Sequence, residues 1–402
     1  MADSEAETTT PAPRDGELFP IVEFDRSTGL LPSQMLRGLI ALGHELTSLA
    51  PIGEDQIQPA SLDLRLGEVA YRVRASFLPG ARNTVKEKLD QLSMHSIDLT
   101  GGTVLERNCV YIVPLLEVTA LPRRTTAAAN PKSSTGRLDV FARIITDYGT
   151  EFDRLRDGYK GPLYAEISPR SFSVVVRTGS RLVQLRIRRG SPIFRDTALR
   201  RLHAESPLVE LPEDDGAPAS QAIRNGLVFT VDAMGQPDTG LIGYKARRHT
   251  DVIDVDRVDA YDPADFWEPV YARRGSRDPS GLVLDPNDFY ILASREAVVV
   301  PPDHAAEMLP YDTFVGEFRV HYAGFFDPGF GAAEAGGQGS RAVLEVRSHE
   351  VPFLIEHGQT MGRLVYEPLI ARPDRLYGGG IGSSYQNQGL ALSKHFKKVP
   401  LG

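Results

Sequence analysis

Hydrophobic positions along this chain fall into short strand-like stretches, one of them strictly alternating with a period of two. In the stretch PASLDLRLG (59–67), Leu62, Leu64 and Leu66 alternate with Ser61, Asp63 and Arg65, which predicts a half-buried strand with one polar face. From Cys109 onward short runs rich in β-branched residues recur between turn residues, at Val110–Val113, Leu138–Ile145, Leu163–Ile167, Phe172–Val176 and Leu182–Ile187. Such spacing predicts an all-β sandwich or barrel, mainly β with a few short helices. The clearest helix of the first half is Ser33–Leu42, with Ser33 as N-cap after Pro32 and Gly43 closing the C-terminus.

The pattern also repeats. Tyr111-Ile112, Glu117 and Pro122 recur as Tyr290-Ile291, Glu296 and Pro301, and the same offset of 179 carries Glu166 onto Glu345, Gly179 onto Gly358 and Leu185 onto Leu364. One offset held through loops of different composition implies two tandem, duplicated β units. The expected division is a disordered tail over 1–17, a first domain over 18–202, a linker over 203–221 and a second domain over 222–402. The polar, Pro/Asp/Gly/Ala/Ser-rich stretch HAESPLVELPEDDGAPASQ has the composition of a linker.

Composition narrows the function classes. With 402 residues, 41% hydrophobic and 24% charged, the chain reads as a globular protein of two or three domains. A net charge of −8 argues against broad binding to nucleic acid or anionic membrane, so any anion must be held by a local cluster working against the global field. The single cysteine, Cys109, cannot build a disulfide framework or a multi-cysteine metal site and suits a reducing compartment. No run approaches the roughly 18 apolar residues of a membrane span, and Met1 to Glu17 lacks the apolar core of a signal peptide. A cytoplasmic location is expected.

The local cluster is Asn130-Pro131-Lys132-Ser133-Ser134-Thr135-Gly136-Arg137. Arg137 can fork onto a phosphate, Lys132 supplies a point charge, and Ser133, Ser134 and Thr135 add short donors, a set suited to a triphosphate. No G-x-x-x-x-G-K-[ST] motif occurs, so this is not a P-loop.

These motifs, together with GPLYAEI (161–167), GSRLVQLRI (179–187), HYAGFFDPGF (321–330), AVLEV (342–346), GQTMGRLVYEP (358–368) and a tail ending SYQNQG, resemble the dCTP deaminases in their long two-domain bacterial form, relatives of dUTPase. The resemblance covers about residues 59–187 and 287–390. It implies dUTPase-like β domains, dCTP and dUTP as ligands with dTTP as a regulator, and a homo-oligomer with threefold or pseudo-threefold symmetry. It further implies that Lys132, Ser133 and Arg137 belong to the triphosphate and catalytic-serine loop, that Glu166 and Glu345 both stand where the catalytic glutamate falls, and that Tyr377, Tyr385 and Gln388 belong to a segment folding over the nucleotide. Ser384 replaces a lysine used by the short enzymes, and Lys132 stands where an arginine is usual.

Replacing the 4-amino group of cytosine requires a water made nucleophilic at C4, a donor for N3 and a proton for departing ammonia. One glutamate in a dry pocket can serve all three in turn if burial raises its pKa toward neutrality. Zinc deaminases use an H-x-E…P-C-x-x-C site that a chain with only Cys109 cannot build, so the expected reaction is metal-free at the base, with Mg2+ carried by the triphosphate. Dividing the motifs between halves implies a composite site, Lys132, Ser133 and Arg137 of one half facing Glu345 and the tail tyrosines of a second. A dUTP diphosphatase, a bifunctional deaminase–diphosphatase and a non-catalytic deoxynucleotide sensor are the alternatives left open.

Overall fold

The computed structural model describes residues 27–192, 195–210, 222–272, 281–310, 318–321, 324–348, 350–378, 385–386 and 389–398. The tail expected over 1–17 and Gln388 lie outside these residues. Strand accounts for 43% of the structure against 13% helix, which places it in the all-β class.

The two halves repeat one strand order. In the first half, one sheet runs Gly29–Leu30, Val183–Arg189, Thr125–Pro131, Arg154–Leu155, and the other runs Ser93–Asp98, Val69–Val73, Val110–Ala120, Lys160–Pro169, Val140–Thr146. In the second half, the corresponding orders are Leu227–Thr230, Thr360–Pro368, His304–Pro310, Phe325–Phe326 and Trp267–Tyr271, Leu241–Ala246, Phe289–Val298, Ser340–Ser348, Phe318–His321. Register repeats as well, since Glu166 sits opposite Ile112 and Glu345 opposite Ile291. Gly179 and Gly358, matched by the offset, both take positive φ, 89° and 77°.

Local signals worked where backbone chemistry dictates them. Ser33–Leu42 is helical, and Gly43 takes the left-handed conformation (φ 62°) that closes it. Its N-cap is Pro32 rather than Ser33, whose hydroxyl bonds the carboxylate of Asp374 instead. The polar face expected on 59–67 is not solvated: Asp63 pairs with Lys132, and Arg65 donates through Nε to the buried Glu117 at 2.8 Å. Both faces of that short strand are buried because its polar residues find charged partners inside.

The expected linker over 203–221 also differs. His203, Ala204 and Glu205 finish a helix, Asp196–Glu205, and Val209–Glu210 pairs with Ala297 and Val298 as an added strand. Leu199, Leu208 and Val209 join the second core, so burial of apolar side chains overrides the polar composition here. Residues 211–221 lie outside the described residues.

The halves are not beads on a string. Val174–Val175 pairs in parallel with Ile253–Asp254, Ile370 donates its N–H to Leu30 O at 3.0 Å, and Arg177 binds both oxygens of Asp254 at 2.7 and 2.9 Å. Apolar side chains of both halves merge into one core, in which Trp267 stacks edge-on against Phe172 of the first half (centroids 5.4 Å) and Phe396 near the C-terminus (5.9 Å). Trp267→Ala should therefore lower stability by about 3–5 kcal/mol in chemical denaturation, with a single transition retained. A loss under about 1 kcal/mol would mean the ring is not a joint between halves.

Candidate active site

A cleft of about 280 Å3 opens where the halves meet. Its first-half wall is the Lys132–Arg137 loop. The strand Thr125–Pro131 ends at Pro131, which has no N–H to give a continuing ladder, and Ser133–Gly136 turns once as a short helix with Arg137 N bonding Ser133 O at 3.0 Å. Lys132, Ser133, Ser134 and Arg137 all line the cleft. Thr135 does not; it is buried behind the loop.

The second-half wall carries Glu345, on Ser340–Ser348 between two partner strands. Its neighbour Val343 on the same face belongs to the merged core, so this face points at the first half. Glu345 is 5% exposed, and burial pushes its carboxyl up from 4.5 to about 8 against the opposing pull of the Arg137 guanidinium; the carboxylate of Asp139 adds to the rise. Asp139 is itself tied across the halves, paired with Arg347 and accepting from Ser171 Oγ at 2.7 Å.

Arg137 is 3% exposed and links the walls. It donates to Ala391 O at 3.1 Å and lies over the Tyr385 ring, 3.8 Å from its centroid. Tyr385 Oη accepts from Lys394 N at 3.0 Å. Tyr377 lines the cleft, its N–H bonding Pro328 O at 2.8 Å and its ring packing on Phe330 (5.7 Å); burial holds its hydroxyl in the protonated form by raising its pKa. The turn Asp327-Pro328-Gly329 meets the cleft through Asp327. Gly329 has φ 94°, and a Cβ there would stand 2.9 Å from the Leu376 side chain, so only glycine lets the tail pass this close.

Lys132, Ser133, Ser134, Arg137, Glu345, Tyr377 and Tyr385 are thus brought together within one chain. Glu166 is not among them. It is 2% exposed on the sheet face shared with Tyr164, ion-paired to its cross-strand neighbour Arg143 and accepting from Ser76 Oγ at 2.7 Å. Arg143 stacks on Phe152 at 3.7 Å, so arginine and ring fill the ground beside this glutamate. Equal positions in the repeat have unequal surroundings, so of the two glutamates that the resemblance sets at the catalytic position only Glu345 lines the cleft.

Several cleft residues had escaped sequence reasoning. Asp327 is buried and accepts from Arg186 at 3.0 Å; Arg186, from the first half, also donates to Phe326 O at 2.9 Å and lies 4.0 Å from the Phe325 ring centroid. Asp63, Arg181 and Lys394 also line the cleft. Only Asp63 carried a signal, as a charge on an alternating strand.

The repeated sheet order, with a buried carboxyl and several cations lining one cleft, defines a tandem dUTPase-like β protein with a site suited to a small polyanion. Family models for the N-terminal and C-terminal domains of 2'-deoxycytidine 5'-triphosphate deaminase match residues 27–191 and 195–396, and the chain belongs to that family. The crystal structure of 2'-deoxycytidine 5'-triphosphate deaminase from Agrobacterium tumefaciens is similar at 55% identity, covering 86% of this chain and 100% of that one with a TM-score of 0.79. A "dCTP deaminase, dUMP-forming" of Beutenbergia cavernae is 29% identical over 162 residues, 39% of this chain and 79% of that protein. Another of the same description, from Halobacterium salinarum, is 32% identical over 115 residues, 28% of this chain and 54% of its own length. The resemblance seen in the motifs is the family found.

The raised pKa of Glu345 has a stability consequence of definite sign. Between pH 4.5 and about 8 the folded state holds a proton on Glu345 that the unfolded chain has released, so that contribution is present in full below 4.5 and is lost as pH rises to about 8. Glu345→Gln, which has no such proton, should gain in thermal midpoint relative to the parent across that window. A difference that stays flat from pH 5 to pH 8 would contradict the burial of a neutral carboxyl.

Proposed function

We propose that this chain hydrolytically deaminates dCTP to dUTP and ammonia. The observation that carries the reading is the placement of Glu345, neutral-poised and buried, in the same cleft as the Lys132–Arg137 loop. Water adds through its oxygen to C4 as its proton passes to the Glu345 carboxylate and on to N3. In the tetrahedral intermediate the same carboxyl moves the second proton from oxygen to the amino nitrogen. The C4–N bond then breaks, C4=O forms, ammonia leaves and Glu345 returns to its starting state. A pKa near 8 keeps both protonation states accessible at neutral pH, as a group that accepts and then gives requires. Ser133 holds the attacking water or the developing tetrahedral centre, Lys132 holds the phosphate end, and Arg137, which acts on Glu345 and stacks on the Tyr385 ring, closes Tyr385 over the site.

Magnesium enters on the triphosphate. Asp63 fits that role: it is 1% exposed, lines the cleft, pairs one oxygen with Lys132 and has no hydrogen-bond partner for Oδ1 among the described residues. The ion, when bound, neutralises phosphate charge. The repeated strand order supports a duplicated unit, and the single cysteine supports a cytoplasmic location. A threefold or pseudo-threefold homo-oligomer and regulation by dTTP belong to the same reading.

A second product reading, dUMP and pyrophosphate, is favoured by the "dUMP-forming" description of the two relatives above. One incubation with dCTP and magnesium separates them: ammonia with dUTP marks deamination alone, and ammonia with pyrophosphate and dUMP marks both steps. In that assay Glu345→Gln should lower ammonia release by roughly 10²-fold or more at saturating dCTP, and Glu166→Gln should be far milder. Inactivity of Glu166→Gln alone, in a folded protein, would overturn the assignment.

A further inference from the structure

Three cations lie near one another on the cleft wall: Lys132, Arg181 and Lys394. Two are matched by carboxylates, Lys132 by Asp63 and Arg181 by Asp55. Lys394 has no ion-pair partner among the described residues, and it is half-buried. Burial lowers its pKa first and the Lys132 charge lowers it further, with Asp63 pulling the other way, as expected for a cation held against like charge.

The side chain is delivered there by a fixed backbone. Lys394 N bonds Tyr385 Oη, and Lys394 O accepts from Asp259 N, both at 3.0 Å. On one side Ser393 Oγ bonds Ser134 O in the phosphate loop at 2.8 Å, and on the other His395 Nε2 bonds Val255 O at 2.9 Å. Phe396 then anchors in the aromatic joint around Trp267. An unmatched ammonium set this firmly beside two matched cations is relieved by a multiply charged anion, and more so the more charge the anion brings.

We propose that Lys394 is a specificity-determining residue that makes the cleft select nucleotides by the length of their phosphate chain, favouring the triphosphate. The proposal rests on the reading of dCTP as substrate. Its test is kcat/KM for dCTP and for dCMP in the full-length parent, Lys394→Met and Lys394→Arg, with thermal midpoints recorded alongside. Lys394→Met should cut the dCTP-over-dCMP preference roughly ten- to a hundredfold, chiefly through KM for dCTP, and Lys394→Arg should restore most of it. A preference that stays put in Lys394→Met, or both substrates falling together, would overturn the proposal. Should methionine lower the midpoint, Lys394→Gln carries the same comparison. Binding of inorganic triphosphate, measured calorimetrically, keeps the two readings apart. Weakened binding in Lys394→Met supports the role of Lys394 even in a chain that releases no ammonia from dCTP, whereas equal binding by parent and variant sinks it.

Discussion

Everything in the cleft depends on one buried carboxyl facing one buried guanidinium across the seam between the halves. Desolvation drives Glu345 toward its neutral form and Arg137 pulls it back, and the balance leaves the group near neutrality instead of far to either side. That balance exists only while the seam is closed. Arg137 comes from a loop of the first half and Glu345 from a strand of the second, and the packing of Phe172, Trp267 and Phe396 holds the halves together.

The repeated glutamates show how a tandem β unit divides its labour. Glu117 and Glu296 are matched by the offset and do the same work: each is buried and accepts a backbone N–H at 2.8 Å, Glu117 from Arg65 and Glu296 from Thr230. Glu166 and Glu345 are matched equally well and do different work. Beside Glu166 the cross-strand residue is Arg143, whose ion pair and stack on Phe152 occupy the available space. Glu345 faces a cleft and the more distant charge of Arg137. A close ion pair satisfies a carboxylate, whereas a dry pocket with a distant cation leaves it able to exchange protons.

The C-terminal segment binds the design together. Tyr385 stacks under Arg137, Ser393 bonds the Lys132–Arg137 loop at Ser134 O, and Phe396 packs into the joint. The same short segment thus borders the cleft and fastens the halves.

Much of this was legible along the chain. Period-two alternation, the β-branched runs and the offset repeat identified the β class and the two units, and the Lys132–Arg137 loop singled out in the sequence lines the cleft, because strand pairing and loop chemistry are set by neighbours in sequence. Gly43 closed its helix as expected for the same reason. The division of motifs pointed to Glu345, but the sequence could not decide what surrounds each glutamate, since Glu166 and Glu345 occupy equal registers and differ in what tertiary packing sets beside them. Nor could it reveal that Asp63 and Lys394 converge on the cleft from far-separated segments, or that Arg186 supports it through Asp327. Their electrostatic roles come from burial and from charges brought near by the fold, and neither burial nor proximity across hundreds of residues is written in a local pattern.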